Sequence, residues 1–410
     1  MKKIFLILLL VIFIIPTYPS AETSNHLKAA FIRGDDLWLK LGEKEIKLTN
    51  GEYVRFPKWS SDGSLVAYIK GDQKIDYPLF DGELWLYNLK FKKHFKVATK
   101  VNNEFQWSPT DNKIGFIVEK TLYAYRIDSN LSSKVATNIE NFSWLPNGKG
   151  FLTSAKESAQ LDSDLILSKI TLSTNFNKPK ISQFYTVPVN ENEYFVSTSP
   201  FKWSADKKWI SFLLVPTASL SADGNTLCIL SSDRKTFQRT GEMLKYNEWF
   251  QWAPSKSVLG YISGVGREAT SNKQLKFVSV PNFMKKMVTP PGYVDRDLVW
   301  ANNHLLYVSR SKESKWIALN QRPLPSLYTV NRKTNGQKRI TFPSKQEGDF
   351  RPQVFQDQLV WIRTDSKTTN ILVTPTSHLK EKIWIKNIDT SSPYYDRWNW
   401  DEVFHLFGAN

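Results

Sequence analysis

A tryptophan-anchored unit recurs along this chain of 410 residues, and it limits the possible folds more than any other feature. The first copy is Phe56-Pro57-Lys58-Trp59-Ser60-Ser61-Asp62-Gly63, followed by Leu65-Val66-Ala67-Tyr68. Further copies are Phe105-Gln106-Trp107-Ser108-Pro109, Phe142-Ser143-Trp144-Leu145-Pro146-Asn147-Gly148, Phe201-Lys202-Trp203-Ser204-Ala205-Asp206 and Phe250-Gln251-Trp252-Ala253-Pro254. A Phe stands two positions before the Trp in four copies, and three before it in the first, where Pro57 intervenes. Trp59 to Tyr68, Trp107 to Phe116, Trp203 to Phe212 and Trp252 to Tyr261 are each nine residues apart. Weaker copies follow around Trp300, Phe350–Val354 and Trp398–Trp400.

The unit has the chemistry of a β-hairpin. Residues two apart share one face of a strand, so Phe and Trp point one way and the residue between them the other. Asp62-Gly63 and Asn147-Gly148 supply the positive φ of a tight turn, and a mostly apolar strand follows. Two more strand signals complete each unit. One carries a Leu-aromatic pair (Leu37-Trp38, Leu84-Trp85, Leu122-Tyr123, Leu327-Tyr328); the other is short and ends in Thr (Ile46–Thr49, Lys96–Thr99, Lys134–Thr137, Arg339–Thr341). Four antiparallel strands repeated every 49 or so residues, from Trp59 to Trp400, predict an all-β propeller. Trp59, Trp107, Trp144, Trp203, Trp252, Trp300 and Trp400 are then its structural anchors, packing blade on blade.

Eight sets of the last three strands can be counted, which predicts eight blades, with seven or six as alternatives. The set at residues 28–49 lacks a Trp-anchored first strand. Tyr394–Trp400 reads as a first strand with nothing after it, so the C-terminal segment is expected to complete the N-terminal blade and close the ring. The propeller domain is placed at residues 28–410.

Trp59-Ser60-Ser61-Asp62-Gly63 with Leu65-Val66-Ala67-Tyr68, and Ala30-Phe31-Ile32-Arg33 with Asp36-Leu37-Trp38-Leu39 and Lys47-Leu48-Thr49, resemble the repeat of TolB-like, WD-type propellers. The resemblance covers nearly all of residues 28–400. It implies the fold and says little of function, because propellers host many unrelated roles. TolB-type proteins also carry an N-terminal α/β domain before six blades, for which this chain has no room ahead of residue 28. A related propeller precedes the hydrolase domain of prolyl-oligopeptidase-like peptidases, but no Gly-x-Ser-x-Gly nucleophile elbow occurs here.

Lys2 and Lys3, the apolar run Ile4–Ile15 and the small residue Ala21 form a secretory signal peptide over residues 1–21. The expected location is therefore outside the cytoplasm, secreted or in the cell envelope. Membrane contact would come at most through that segment if it stays uncleaved. Cys228 is the only cysteine, so no intrachain disulfide can form, and its apolar run Thr226–Leu230 predicts a buried thiol. The net charge of +16 suits an anionic envelope polymer, whereas the compartment disfavours nucleic acid.

Chemistry is sparsely marked. The five histidines, His26, His94, His304, His378 and His405, show no metal-ligand spacing. They read as isolated, and no cofactor or metal is expected. Asp62, Asp111 and Asp206 recur at the hairpin turn, where Asp usually bonds its own backbone. The long second-to-third-strand connections (70–82, 155–163, 215–225, 263–274, 310–325) enlarge one rim, and two of them mix aromatic and basic side chains. Tyr77, Phe80, Arg310, Lys312, Lys315, Trp316 and Arg322 are the candidate partner-binding residues. The expected function is a monomeric, non-catalytic binding or scaffolding module for a protein, a peptide or an anionic envelope polymer. The alternative is a carbohydrate-active hydrolase or lyase with its site in the central channel. Carboxylates converging in that channel would mark the enzyme; hydrophobic and neutral residues there would mark the scaffold.

Overall fold

The computed structural model describes residues 27–71, 81–173, 176, 178–190, 193–315, 321–377, 380–391 and 397–409. Its strands form eight antiparallel sheets, each a meander whose first strand lies innermost. Blade 1 is composite: Phe404–Leu406 pairs with Lys28–Arg33, followed outward by Asp36–Leu41 and Lys44–Lys47. The inner strands of blades 2 to 4 are Tyr53–Trp59, Gln106–Trp107 and Asn141–Trp144. Blade 5 begins with two short pieces, Phe195–Thr198 and Lys202–Trp203; blades 6 to 8 begin with Phe250–Trp252, Tyr293–Trp300 and Gly348–Phe355. The expected eight-bladed propeller is the fold.

The repeat is explained by one stitch made blade to blade. The Trp107 indole N–H donates to the Lys58 carbonyl at 2.9 Å. Trp144 does the same to Gln106 at 3.0 Å, Trp252 to Lys202 at 3.0 Å and Trp300 to Gln251 at 3.0 Å. Each acceptor is the residue between Phe and Trp one blade back. The side chain of that residue returns the bond. Lys58 Nζ donates to the Phe105 carbonyl at 2.9 Å, Gln106 Nε2 to Phe142 at 2.9 Å and Lys202 Nζ to Phe250 at 2.9 Å. Trp therefore recurs because one side chain fills the apolar gap between blades and still offers a donor at its tip.

The other repeat signals also have local causes. Gly63 and Gly148 sit at φ +69° and +64°, as a tight turn requires, and a Cβ on Gly63 would stand 2.8 Å from the Phe407 ring. Asp62 accepts from the Ser64 backbone N–H at 2.9 Å and from Ser60 Oγ at 2.7 Å, and Asp206 repeats this with Lys208 and Ser204. The Thr ending the outer strand accepts the N–H of the Leu in the Leu-aromatic pair: Leu37 to Thr49 at 2.9 Å and Leu327 to Thr341 at 2.8 Å. Leu275 bonds Thr289 likewise at 2.7 Å. Cys228 is fully buried, and burial pushes its thiol far above the usual range.

Closure comes from a different segment than expected. Tyr394–Asp396 lie outside the described residues, and Trp398 and Trp400 form no inner strand. Their rings stack 5.0 Å apart and pack against Phe350 of blade 8, and Trp400 opens a 3-10 turn through Glu402. The inner strand is Phe404-His405-Leu406, whose register sets His405 opposite Ala30. Backbone bonds from Ile32 N to Val403 O and from Phe407 N to Lys28 O, both 2.9 Å, seal the ends. This segment repeats Phe-x-Trp with Leu in place of Trp, so an alignment on tryptophans passes over it. Trp400 is a buried wedge against blade 8, not a repeat anchor.

The stitch makes a paired prediction. Trp252→Phe leaves the Lys202 carbonyl without its indole donor and should cost about 1–2 kcal/mol in urea denaturation. The Trp203 indole nitrogen is buried with no hydrogen-bond partner, so Trp203→Phe should be neutral or slightly stabilising in the same assay.

Candidate active site in the central channel

Strand alternation turns the residue between Phe and Trp toward the following blade, where the side chains of Lys58, Gln106 and Lys202 make their bonds. By register with the second strands, the eight equivalents are His405, Lys58, Gln106, Ser143, Lys202, Gln251, Val299 and Gln353. Five of them, His405, Lys58, Lys202, Gln251 and Gln353, line one cavity of about 230 Å³. Glu248, Asp297, Arg351 and Asp401 complete its ionisable wall. The cavity is thus built from blades 1, 2, 5, 6, 7 and 8, whose inner strands converge there.

Two wall residues are placed by irregularities in their strands. Asp297 sits at φ +45° in a bulge between Arg296 and Leu298, and Arg351 at φ +50° in a bulge between Phe350 and Gln353. Neither is Gly, so both hold a conformation that costs on the order of 1–3 kcal/mol, and bulges beside active sites re-aim side chains in this way. The two bulges are joined, because Asp297 Oδ2 accepts the Arg351 backbone N–H at 2.9 Å. Asp297 Oδ1 accepts the Trp249 indole N–H, also at 2.9 Å. Arg351 then reaches two acids, Asp401 at 2.7 Å and Glu248 at 3.2 Å.

Enclosure tunes these groups. Burial raises the Asp297 pKa above the usual carboxylate value, and the hydrogen bonds from Arg351 and Trp249 oppose it only in part. Burial lowers Lys202 to about 7, with the Arg351 charge adding to the effect and Asp401 opposing it. Lys58 falls to about 8, again through burial, against the pull of Asp401 and Glu104. His405 falls to about 4, burial leading, Asp401 opposing, and Lys58 and Arg351 adding to the drop. Perturbed groups clustered in one cavity make it the candidate functional site.

The rim candidates are placed differently. Tyr77, Phe80 and Trp316 lie outside the described residues. Lys312 and Lys315 are exposed. Arg310 is buried and doubly bonded to Asp295 at 2.5 and 2.8 Å, and Arg322 is also buried. Arg310 thus secures blade 7 internally. Asp62 and Asp206 serve their turns, and Asp111 pairs with Lys113 at 2.5 Å. His94 is bound between Tyr68 at 2.8 Å and the Leu48 carbonyl at 3.1 Å, a role between blades 1 and 2. His405 is the histidine that reading by spacing missed, along with Glu248, Asp297, Arg351 and Asp401. Lys58 and Lys202 carried a usable signal, since two lysines recur at one fixed position of a visible repeat.

No protein-family model and no curated protein matches the sequence. Among solved structures, dipeptidyl peptidase 4 of Porphyromonas gingivalis is similar with a TM-score of 0.60 and 10% identity, over 87% of this chain and 57% of that one. A prolyl endopeptidase follows with a TM-score of 0.53 and 13% identity, over 82% and 50%. This chain therefore spans about half the length of each. TolB of Acinetobacter baumannii is also among the neighbours, with a TM-score of 0.36 and 12% identity over 76% of this chain and 62% of that one. The expectation of a non-catalytic scaffold is corrected here. The neighbours are mostly enzymes, and acids and bases, Glu248, Asp297, Asp401, Lys58, Lys202 and His405 among them, converge in one cavity.

His405 gives this site a pH signature. Its folded-state pKa of about 4 lies below the ordinary 6.5, so the native state binds fewer protons than the unfolded chain between those values. Its contribution to stability is complete above pH 6.5 and is lost as pH falls toward 4. Denaturation midpoints over that window should fall less steeply in His405→Gln than in the parent.

Proposed function

We propose that this chain is a carbohydrate-active hydrolase or lyase whose reacting groups line the central channel. The observation that carries the reading is the joining of Asp297 and Arg351 at two linked bulges, with Glu248 and Asp401 held on that same arginine. Cleaving a glycosidic bond calls for a carboxylic acid that keeps its proton and a second group that accepts one or attacks. Burial moves Asp297 in the direction a proton donor needs. Asp401 or Glu248 is the counterpart carboxylate in a hydrolase, and a channel amine is the counterpart in a lyase. Gln251, Gln353 and the cationic side chains suit the hydroxyls and acid groups of a glycan. The basic, apolar N-terminal segment supports an exported enzyme that meets its substrate outside the cytoplasm.

The full chain should be assayed against a panel of neutral and acidic polysaccharides, following reducing ends and new ultraviolet absorbance. Asp297→Asn should lower turnover at least about 100-fold with an unchanged melting temperature. Turnover that survives in both Asp297→Asn and Asp401→Asn would remove the channel from the chemistry.

A further inference from the structure

Two lysines of the cavity wall differ from the fully buried Lys273 in what their amines bond. An ammonium has three N–H donors, whereas a neutral amine has two and a lone pair. Lys273, fully buried, donates to three carbonyls, those of Val265 and Gly266 at 3.0 Å and Ser271 at 2.8 Å, so every proton of an ammonium is placed. Lys58 donates to two, Asn103 at 2.8 Å and Phe105 at 2.9 Å. Lys202 also donates to two, Asn247 and Phe250. Among the described residues, neither is ion-paired with a carboxylate. The acids Glu248 and Asp401 of the same wall are held by Arg351. Lys58 also lies over the Phe105 ring at 4.2 Å and Lys202 over the Phe250 ring at 4.4 Å, and each amine has one hydrogen-bonding position left over, on a residue that lines the cavity.

That remaining position can hold a lone pair, which accepts a proton, or a third N–H, which seeks an anion. The surroundings divide the two roles. Asp401 favours charge on both amines, but at Lys202 the Arg351 charge outweighs it, whereas at Lys58 Glu104 adds to it. We propose that Lys202 is the proton acceptor of the channel and Lys58 the cation that holds a substrate carboxylate, in a β-elimination that cleaves an acidic polysaccharide. This rests on the enzymatic reading above and selects its lyase form. The Lys202 lone pair takes the proton from the carbon beside a uronate carboxylate, and the electrons of that C–H bond form a carbon–carbon double bond. The glycosidic C–O bond breaks, and its oxygen takes the proton of Asp297. Lys202 later returns its proton to water and Asp297 regains one, so no oxidant, reductant or co-reactant is needed. His405, Glu248, Asp401 and Arg351 are the other ionisable groups facing this space.

The first test reads the amine directly and does not depend on turnover. The full-length protein is trace-labelled with acetic anhydride from acidic to alkaline pH, and peptides are quantified by mass spectrometry. Lys202 should label with a midpoint near 7, well below the value of about 10.4 for an ordinary lysine. A midpoint at the ordinary value, or no labelling at any pH, would overturn the assignment. The second test incubates the protein with a polyuronate and with its carboxyl-reduced, neutral counterpart. Unsaturated product should form from the polyuronate alone, and Lys202→Gln should lower kcat at least about 100-fold while changing KM little. Lys58→Gln should act mainly by raising KM for the polyuronate. Saturated products from hydrolysis would overturn the elimination and leave the enzyme standing. The absence of turnover on every glycan, with Lys202 still labelling near 7, would instead count against the carbohydrate reading.

Discussion

The bond from an indole N–H to a carbonyl one blade back underlies the rest of the molecule. A propeller has no central core; each sheet must bury its faces against two neighbours, and stability grows at those interfaces. Tryptophan serves here because its body fills the gap while its tip satisfies a backbone group that would otherwise be buried unpaired. Four such bonds, from Trp107, Trp144, Trp252 and Trp300, hold successive inner strands at a repeated spacing around the axis. Where the ring closes, the device changes. Phe407 lies edge-on to Trp59 at 5.7 Å, and Trp398 and Trp400 wedge against Phe350, so apolar contact replaces the missing stitch.

The same position that stitches the blades also supplies part of the cavity wall, through Lys58, Lys202, Gln251, Gln353 and His405. Lys58, Gln106 and Lys202 each give their carbonyl to a neighbouring Trp and reach forward with their side chains. Framework and site are therefore not separate sets of residues. That coupling preorganises the amines, since a lysine fastened to two carbonyls has little freedom left to lose. Charge concentrated in a narrow space also explains the altered proton affinities, because water cannot screen groups that protein encloses.

Part of this was legible in the chain. Eight blades, the turn roles of Asp62 and Asp206, the buried thiol of Cys228 and the joining of C-terminal to N-terminal segments all followed from period-two alternation and turn chemistry. The closing strand was misplaced because Leu406 stands where a Trp was sought, and the nearby Trp398 and Trp400 drew the reading to themselves. Arg310 was grouped with the rim because its loop is long and basic, whereas Asp295 on the neighbouring strand binds it inside the blade. Pairing across strands is invisible to local composition.

The sequence by itself determined the architecture, since a sheet-forming unit copied at constant spacing can bury its faces only by stacking into a ring. It also marked, between Phe and Trp, the position whose side chains reach toward the next blade. Only the tertiary structure decided which of those side chains meet. Asp297 and Arg351 are 54 residues apart, and each owes its direction to a bulge with positive φ that no residue type announces. Asp401 joins them from a segment that enters the ring only when the chain ends meet. Convergence of distant groups on a shared axis is a property of closure, and closure exists only in the folded ring.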